Sequence, residues 1–359
     1  PLLYRNLRKA GHLELAGAGL AQQLEAAARA HALNQLRQAF ALKRLLGLLA
    51  EAGLRPVVLK GVALAYRDYP EPGLRPLRDV DLLLSEADAL RAQALLLHTP
   101  GYRHAPWAGK YGIGHSHQLP EIQDIEHDLT IEIHHRLNAH GWAGEAELLR
   151  LVHQGMEEMD LLGQPVRVPS ATANALHLIE HATLHHAFEN GPLILADLHM
   201  IARSGRLDHA DLAARAEALG LRHALHLVAA VAQAYGAGWV SPGLSAGCAP
   251  ARRHLPAARI ALLQDRETAL GRVQLRRLAA RTGGTGLAGA LSRMVRPDNA
   301  ELAKLAGGGP PPPASPMRWL GYPTWLAAKG VRYARALRES RQSGGADREA
   351  GMVDWLKSG

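Results

Sequence analysis

The sequence predicts an α/β (α+β) fold, with a small mixed-sheet core, helices ahead of it and a mainly helical region behind it. Three observations lead there. Apolar positions from about Gly19 to Gly53 recur at helical spacing, residues 55–137 alternate short β-rich runs with helical stretches, and the pattern from about Ser170 onward is helical almost throughout. The composition shifts divide the chain into an N-terminal helical segment (1–54), the α/β core (55–168), a helical domain (169–306), and a Gly/Pro linker with a C-terminal basic helix and mobile tail (307–359).

Leu24, Ala28, Leu36, Phe40, Leu45 and Leu49 make one face of a long helix that stops at Gly53. Pro56-Val-Val-Leu59 is a short strand that stops at Lys60-Gly61, and a helix follows to about Tyr69. Glu71-Pro-Gly73 is a loop; Leu77 to Leu84 is a buried strand, and Glu86 to Leu97 a helix. Gln118 to Ile122 and Leu129 to His135 are two more strands, and Glu158 to Val168 is a hairpin turning at Gly163. Ser170 caps a helix running to Phe188, with further helices near 191–204, 208–219 and 221–236. Gly307 to Pro313 cannot continue a helix; a last amphipathic segment covers Pro323 to Arg338, and Gln342 to Ala350 is expected to be mobile.

The 359 residues are 47% apolar but only 4% aromatic, enough for a sizeable core poor in large rings. A single cysteine, Cys248, excludes a disulfide framework within the chain and any multi-cysteine metal site. The start of the chain has no signal-peptide order, and the longest apolar run, about Ala224 to Val240, is interrupted by His226 and Gln233, so a cytoplasmic protein with no membrane partner is expected. The net charge of +8 is uneven: residues 251–359 hold 19 Lys and Arg against 8 Asp and Glu, residues 1–250 hold 22 against 25. Those arginines recur at helical spacing, as in Arg332, Arg335 and Arg338, without a recognisable nucleic-acid motif, which reads as a solvated helix face and makes nucleic acid an unlikely partner.

The chemistry sits in Asp79-Val80-Asp81. Side chains two apart on a strand share a face, so both carboxylates point one way while Val80 and the leucines after Asp81 supply apolar contacts. Adjacent buried carboxylates repel and are costly to desolvate unless a cation lies between them; Mg²⁺ bound through a few carboxylates and substrate phosphates meets that cost. Glu132, on the strand Thr130 to His134, is the candidate third acid. Lys60 and Gly61, where a strand ends and a helix begins, suit polyphosphate: glycine allows close backbone approach, the helix N-terminus offers free N–H groups and Lys60 adds a full charge.

The chain resembles the uncharacterised bacterial nucleotidyltransferases related to the polymerase-beta superfamily. The likeness is carried by Leu59-Lys-Gly-Val-Ala-Leu-Ala65, Arg75-Pro-Leu-Arg-Asp-Val-Asp-Leu-Leu-Leu84, Ile131-Glu-Ile-His-His-Arg-Leu137, the helical segment from His177 through Asp197-Leu-His199, and the opening Pro1-Leu-Leu-Tyr-Arg-Asn-Leu7. It covers about residues 1–205. The resemblance implies a nucleotidyltransferase core in which Asp79 and Asp81 match the metal-binding aspartates and Glu132 the third acidic position. The superfamily commonly has Gly-Ser or Gly-Gly at the turn where this chain has Lys60-Gly61.

On this footing two Mg²⁺ ions (or Mn²⁺) are the expected cofactors and a nucleoside triphosphate, ATP before others, the expected donor. The acceptor is a hydroxyl of a small molecule or peptide, and pyrophosphate is released. Arg75 and Arg78 are expected on the triphosphate as forked donors, and His134, His181, His185 and Asp197 in the acceptor pocket. Two alternatives stand beside this one: a non-catalytic nucleotide- or partner-binding protein of the same fold, and an RNA-directed enzyme or RNA binder drawing on the basic C-terminal third.

Overall fold

A computed structural model describes residues 1–109, 111–138, 142–264 and 345–359, with the single positions 323 and 327. The expected linker at 307–313 lies outside the described residues, as does all of the expected helix at 323–338 except those two positions. The described chain falls into two compact units. The first comprises Pro1–Ala105, Lys110–Leu178 and Ala196–Leu219; the second comprises Pro106–Gly109, Ile179–Leu195 and Gly220–Gly359.

In the first unit, α1 (Leu2–Lys9) and α2 (Ala18–Glu51) precede β1 (Val57–Val58) and α3 (Lys60–Arg67). Next come β2 (Asp79–Leu83), α4 (Glu86–His98), β3 (Tyr102–His104), β4 (Ile122–Asp124) and β5 (Leu129–His134). The helix α5 (Glu145–Gln154) leads to the hairpin β6 (Glu157–Leu161) and β7 (Gln164–Val168). These strands form one mixed seven-stranded sheet in the order β3-β4-β5-β2-β1-β7-β6. β2 runs parallel to β5 and antiparallel to β1, which is parallel to β7. The fold is α+β, as the sequence predicts.

Physical causes are visible in each element. The α2 helix is polar and exposed at first, then buries Ala41, Leu42, Leu45, Leu46 and Leu49 in one core with Val58, Val80, Leu82, Ile131, Ile133 and Val168. Gln38 fastens it by donating to the Leu77 carbonyl at 3.2 Å. Ser85 caps α4 by accepting from the Asp88 amide. The β6–β7 hairpin turns through Leu162 (φ 60°) and Gly163 (φ 83°), the pair of left-handed residues that a two-residue type I′ turn needs.

Expectation and structure part at three places. Where Gln118 to Ile122 is predicted as a strand, pairing starts at Ile122, and Gln118 forms only an isolated bridge to His134. The helix predicted from Ser170 to Phe188 is regular only as α6 (Ala171–Glu180), because His181–His185 widens into a π turn and Ala187 and Phe188 take positive φ. Of Gln342 to Ala350, expected to be mobile, residues 345–350 lie in the helix α12 (Gly345–Lys357), which buries Met352 and Leu356 farther along.

The remaining helices are α7 (Leu193–Arg203), α8 (His209–Ala218), α9 (Arg222–Ala234), α10 (Pro242–Gly247) and α11 (Leu255–Leu263). Within the second unit Trp355 of α12 stacks on His223 and His254, with ring centroids 4.2 and 4.7 Å apart.

Leu82 is fully buried on the core face of β2. Leu82→Ala should lower unfolding free energy by about 2–5 kcal/mol in a denaturant titration. A loss below about 1 kcal/mol would show that this face is not the core.

Candidate active site

Parallel pairing of β2 on β5 sets Asp79 against Thr130, Asp81 against Glu132 and Leu83 against His134. Strand alternation then gives the two faces different work. Val80, Leu82, Ile131 and Ile133 point into the core, so Asp79, Asp81, Glu132 and His134 share the other face.

At its centre Asp81, only 2% exposed, meets two donors. Lys60 Nζ lies 2.7 Å from Asp81 Oδ1, and His134 Nε2 lies 2.9 Å from the same oxygen. His134 Nε2 is also 3.4 Å from Glu132 Oε2. Asp81, Glu132 and His134 each offer one atom to a group in which all three lie within 4.8 Å of one another. Asp79 stands beside that group rather than within it.

The titration of these residues follows from burial and neighbours. Burial would push the Asp81 carboxyl up, but the Lys60 ammonium and the hydrogen bond to His134 outweigh it and hold Asp81 well below the usual carboxylate range. Asp79 has no ion pair or side-chain hydrogen bond among the described residues, and the charges of Lys60 and Arg75 offset its surroundings only in part. Burial, and then the Asp81 and Glu132 carboxylates, push it up to about 7. His134 is pressed down by burial and by Lys60, yet its hydrogen bonds to Asp81 and Glu132 leave it raised. His177 lies close enough to feel Lys60 and His134; burial first, then those two charges, hold it well below its ordinary value, as a neutral imidazole.

Lys60 reaches Asp81 through an uncommon backbone. Leu59 is extended and its amide donates to the Asp81 carbonyl at 3.0 Å, and Lys60 then takes φ 44° as α3 begins. A non-glycine residue there carries strain that surrounding contacts must sustain. Here they are the Lys60–Asp81 ion pair and the β1–β2 ladder.

A Cβ on Gly61 would collide with Arg75 Nη1, so the glycine leaves room for a guanidinium. Arg75 in turn is committed to Asp197: Nε donates to Oδ1 and Nη2 to Oδ2, both at 2.9 Å, and Tyr69 Oη donates to Oδ1 at 2.7 Å. All three are buried. Arg75, expected on the triphosphate, is here the partner of Asp197, and Asp197, expected in the acceptor pocket, is its counter-ion.

Arg78 is exposed at the entrance to β2, with no ion pair among the described residues. His134, expected in the acceptor pocket, is hydrogen-bonded to Asp81. His181 and His185 belong to the second unit, where their rings pack on each other at 5.3 Å and on His186 at 4.5 Å.

A donor set of two carboxylates and an imidazole suits a divalent cation. With metal–ligand bonds of about 2.1 Å, neighbouring ligand atoms of an octahedral ion lie about 3.0 Å apart. The 2.9 and 3.4 Å separations bracket that value, so the residues fit such an ion once Lys60 yields its place at Asp81.

A family model described as an uncharacterised nucleotidyltransferase matches residues 1–236 of the chain. The chain belongs to this nucleotidyltransferase family. No curated protein and no solved structure matches it. The generic chemistry is accordingly nucleotidyl transfer, a transferase reaction, and nucleotidyltransferases generally use divalent metals. Among the described residues, no helix is long and apolar enough to cross a membrane.

Two further neighbours of the acids carry no signal in the sequence. Glu121 and Tyr111 both feel the Glu132 charge, and burial pushes each of them up. They come from the irregular segment before β4, where no sequence period points to them.

Lys60→Met removes the one lysine at Asp81 while keeping a similar stem. The metal-free variant should lose about 3 kcal/mol of stability, and a millimolar divalent cation should restore much of the loss in a thermal melt. A variant as stable as the parent in EDTA would show that Asp81 does not depend on Lys60.

Proposed function

We propose that this nucleotidyltransferase transfers a nucleoside monophosphate, AMP from ATP before others, to a hydroxyl of a small-molecule or peptide acceptor. The observation that carries this is the β2–β5 register, which sets Asp81 beside Glu132 on the face of the sheet turned away from the core. Asp79, Asp81 and Glu132 are the residues that would hold Mg²⁺ or Mn²⁺. Two such ions, when bound, supply charge neutralisation for the triphosphate and the departing pyrophosphate.

The chain's own residues do the rest. The acceptor oxygen bonds to the α-phosphorus as the bond to pyrophosphate breaks, and Glu132, whose side chain is 21% exposed, receives the hydroxyl proton. Lys60, released from Asp81, and the first N–H groups of α3 face the phosphate oxygens. Exposed Arg78 offers a further forked donor. Arg75 and Asp197 contribute by packing against the Lys60-Gly61 turn.

The Lys60–Asp81 pair favours a second reading, a non-catalytic nucleotide- or partner-binding protein in which Lys60 is the permanent counter-ion. Calorimetry with the four nucleoside triphosphates separates the two. Transfer chemistry predicts binding that requires Mg²⁺ or Mn²⁺ and is lost in Asp81→Asn; binding indifferent to metal, or none, belongs to the second reading. In a cell extract supplied with α-labelled ATP, Glu132→Gln should cut label transfer by about 100-fold or more with its melting temperature little changed. Undiminished transfer by that variant would remove Glu132 from the reaction.

A further inference from the structure

The face that carries the acids also carries a buried imidazole, and its position relative to the carboxylates has chemical content. His134 is 1% exposed, and its Nε2 is directed at Asp81 Oδ1 and Glu132 Oε2 together. Strand alternation puts it there: Glu132 and His134 are two apart on β5, and β5 lies in parallel register with β2. Nδ1 makes no hydrogen bond among the described residues, so the ring is oriented by its strand, its packing and the two carboxylates. The His117 ring lies against it at 5.4 Å.

We propose that His134 is a metal ligand, and that Asp81, Glu132 and His134 Nε2 form a mixed nitrogen–oxygen site selecting a first-row transition dication such as Mn²⁺ over Mg²⁺. The assignment rests on the nucleotidyltransferase reading above and adds to it a nitrogen donor and a metal preference. Magnesium is a hard ion that takes oxygen ligands and sheds water reluctantly, so an imidazole adds little to its binding. For transition dications imidazole is a favoured ligand, with affinity rising from Mn²⁺ toward Cu²⁺ in the Irving–Williams order.

Among the described residues this is the one group of three or more Asp, Glu, His or Cys side chains close enough to share an ion. Two of its three separations already match the edges of a coordination polyhedron. To offer Nε2 to a cation, His134 would carry its one ring proton on Nδ1, any further proton on Nε2 leaving to solvent, and Lys60 would give up its place at Asp81. Asp79, outside the group, stays free to hold a second ion.

The test uses the full chain and Mn²⁺ or Mg²⁺ alone, without nucleotide. Electron spin-echo modulation of the Mn²⁺-loaded protein should show coupling to a directly bound imidazole nitrogen, and the coupling should vanish in His134→Gln and in His134→Asn. In titrations followed by the Mn²⁺ resonance and by Mg²⁺ competition, each variant should bind Mn²⁺ about tenfold or more weakly while Mg²⁺ affinity changes far less.

Absence of nitrogen coupling in the parent protein overturns the proposal, and needs no variant to fold. Equal weakening for both metals overturns it too, since that is what a purely structural histidine produces. If both metals bind, Asp81→Asn abolishes binding and no nitrogen signal is seen, only the role of His134 falls. If neither metal binds the parent protein, the metal-dependent transfer reaction falls with it.

Discussion

A carboxylate buried in an apolar sheet needs a positive partner, because no nearby water replaces the hydration it has lost. Asp81 is that carboxylate, and much of the first unit is arranged about it. The β1 strand is bonded to β2 at the Asp81 carbonyl, Lys60 accepts a left-handed backbone to bring its ammonium within 2.7 Å, and His134 reaches across from β5. Unlike charges hold Asp81 ionised, whereas Asp79, two residues away and without an ion pair among the described residues, is pushed up to about 7. Two aspartates of one strand thus differ through environment alone.

Around this centre a second buried ion pair does mechanical work. Arg75 and Asp197 satisfy each other with two parallel hydrogen bonds, and Tyr69 fills a remaining acceptor position on Asp197. The guanidinium lies directly over Gly61, so any side chain at that position would push it away. The turn that presents Lys60 is therefore braced by an ion pair, and the charge of its arginine also acts on Asp79. A glycine beside a lysine at a strand end looks like a phosphate cradle in sequence, but its immediate structural cause is the neighbouring arginine.

Much of the framework was legible because its signals are local. The long α2 helix, the short strand before Lys60, the aspartate strand, the Gly163 hairpin and the helices after residue 170 all follow from apolar spacing, caps and turn residues. The site acids were legible for the same reason, since charged residues in an apolar strand stand out against their neighbours. Less legible were elements whose form depends on partners. Gln118 does not extend into a strand because pairing on β5 begins at Ile122, and the helix expected to reach Phe188 widens at His181. The apolar side chains of residues 345–357 cluster near the end of the segment, and the burial of Met352 and Leu356 is decided by their neighbours in the second unit.

By itself the sequence determined which residue types carry charge inside the sheet, and strand alternation determined that Asp79 and Asp81 share a face, as Glu132 and His134 do. Those are consequences of covalent order and a two-residue period. Only the tertiary structure decided that β5 lies beside β2 in parallel with Glu132 at Asp81, that Lys60 neutralises Asp81, and that Arg75 belongs to Asp197. Register and ion-pair choice depend on distances between segments tens of residues apart, and Coulomb energy and desolvation assign partners only once folding has set those distances.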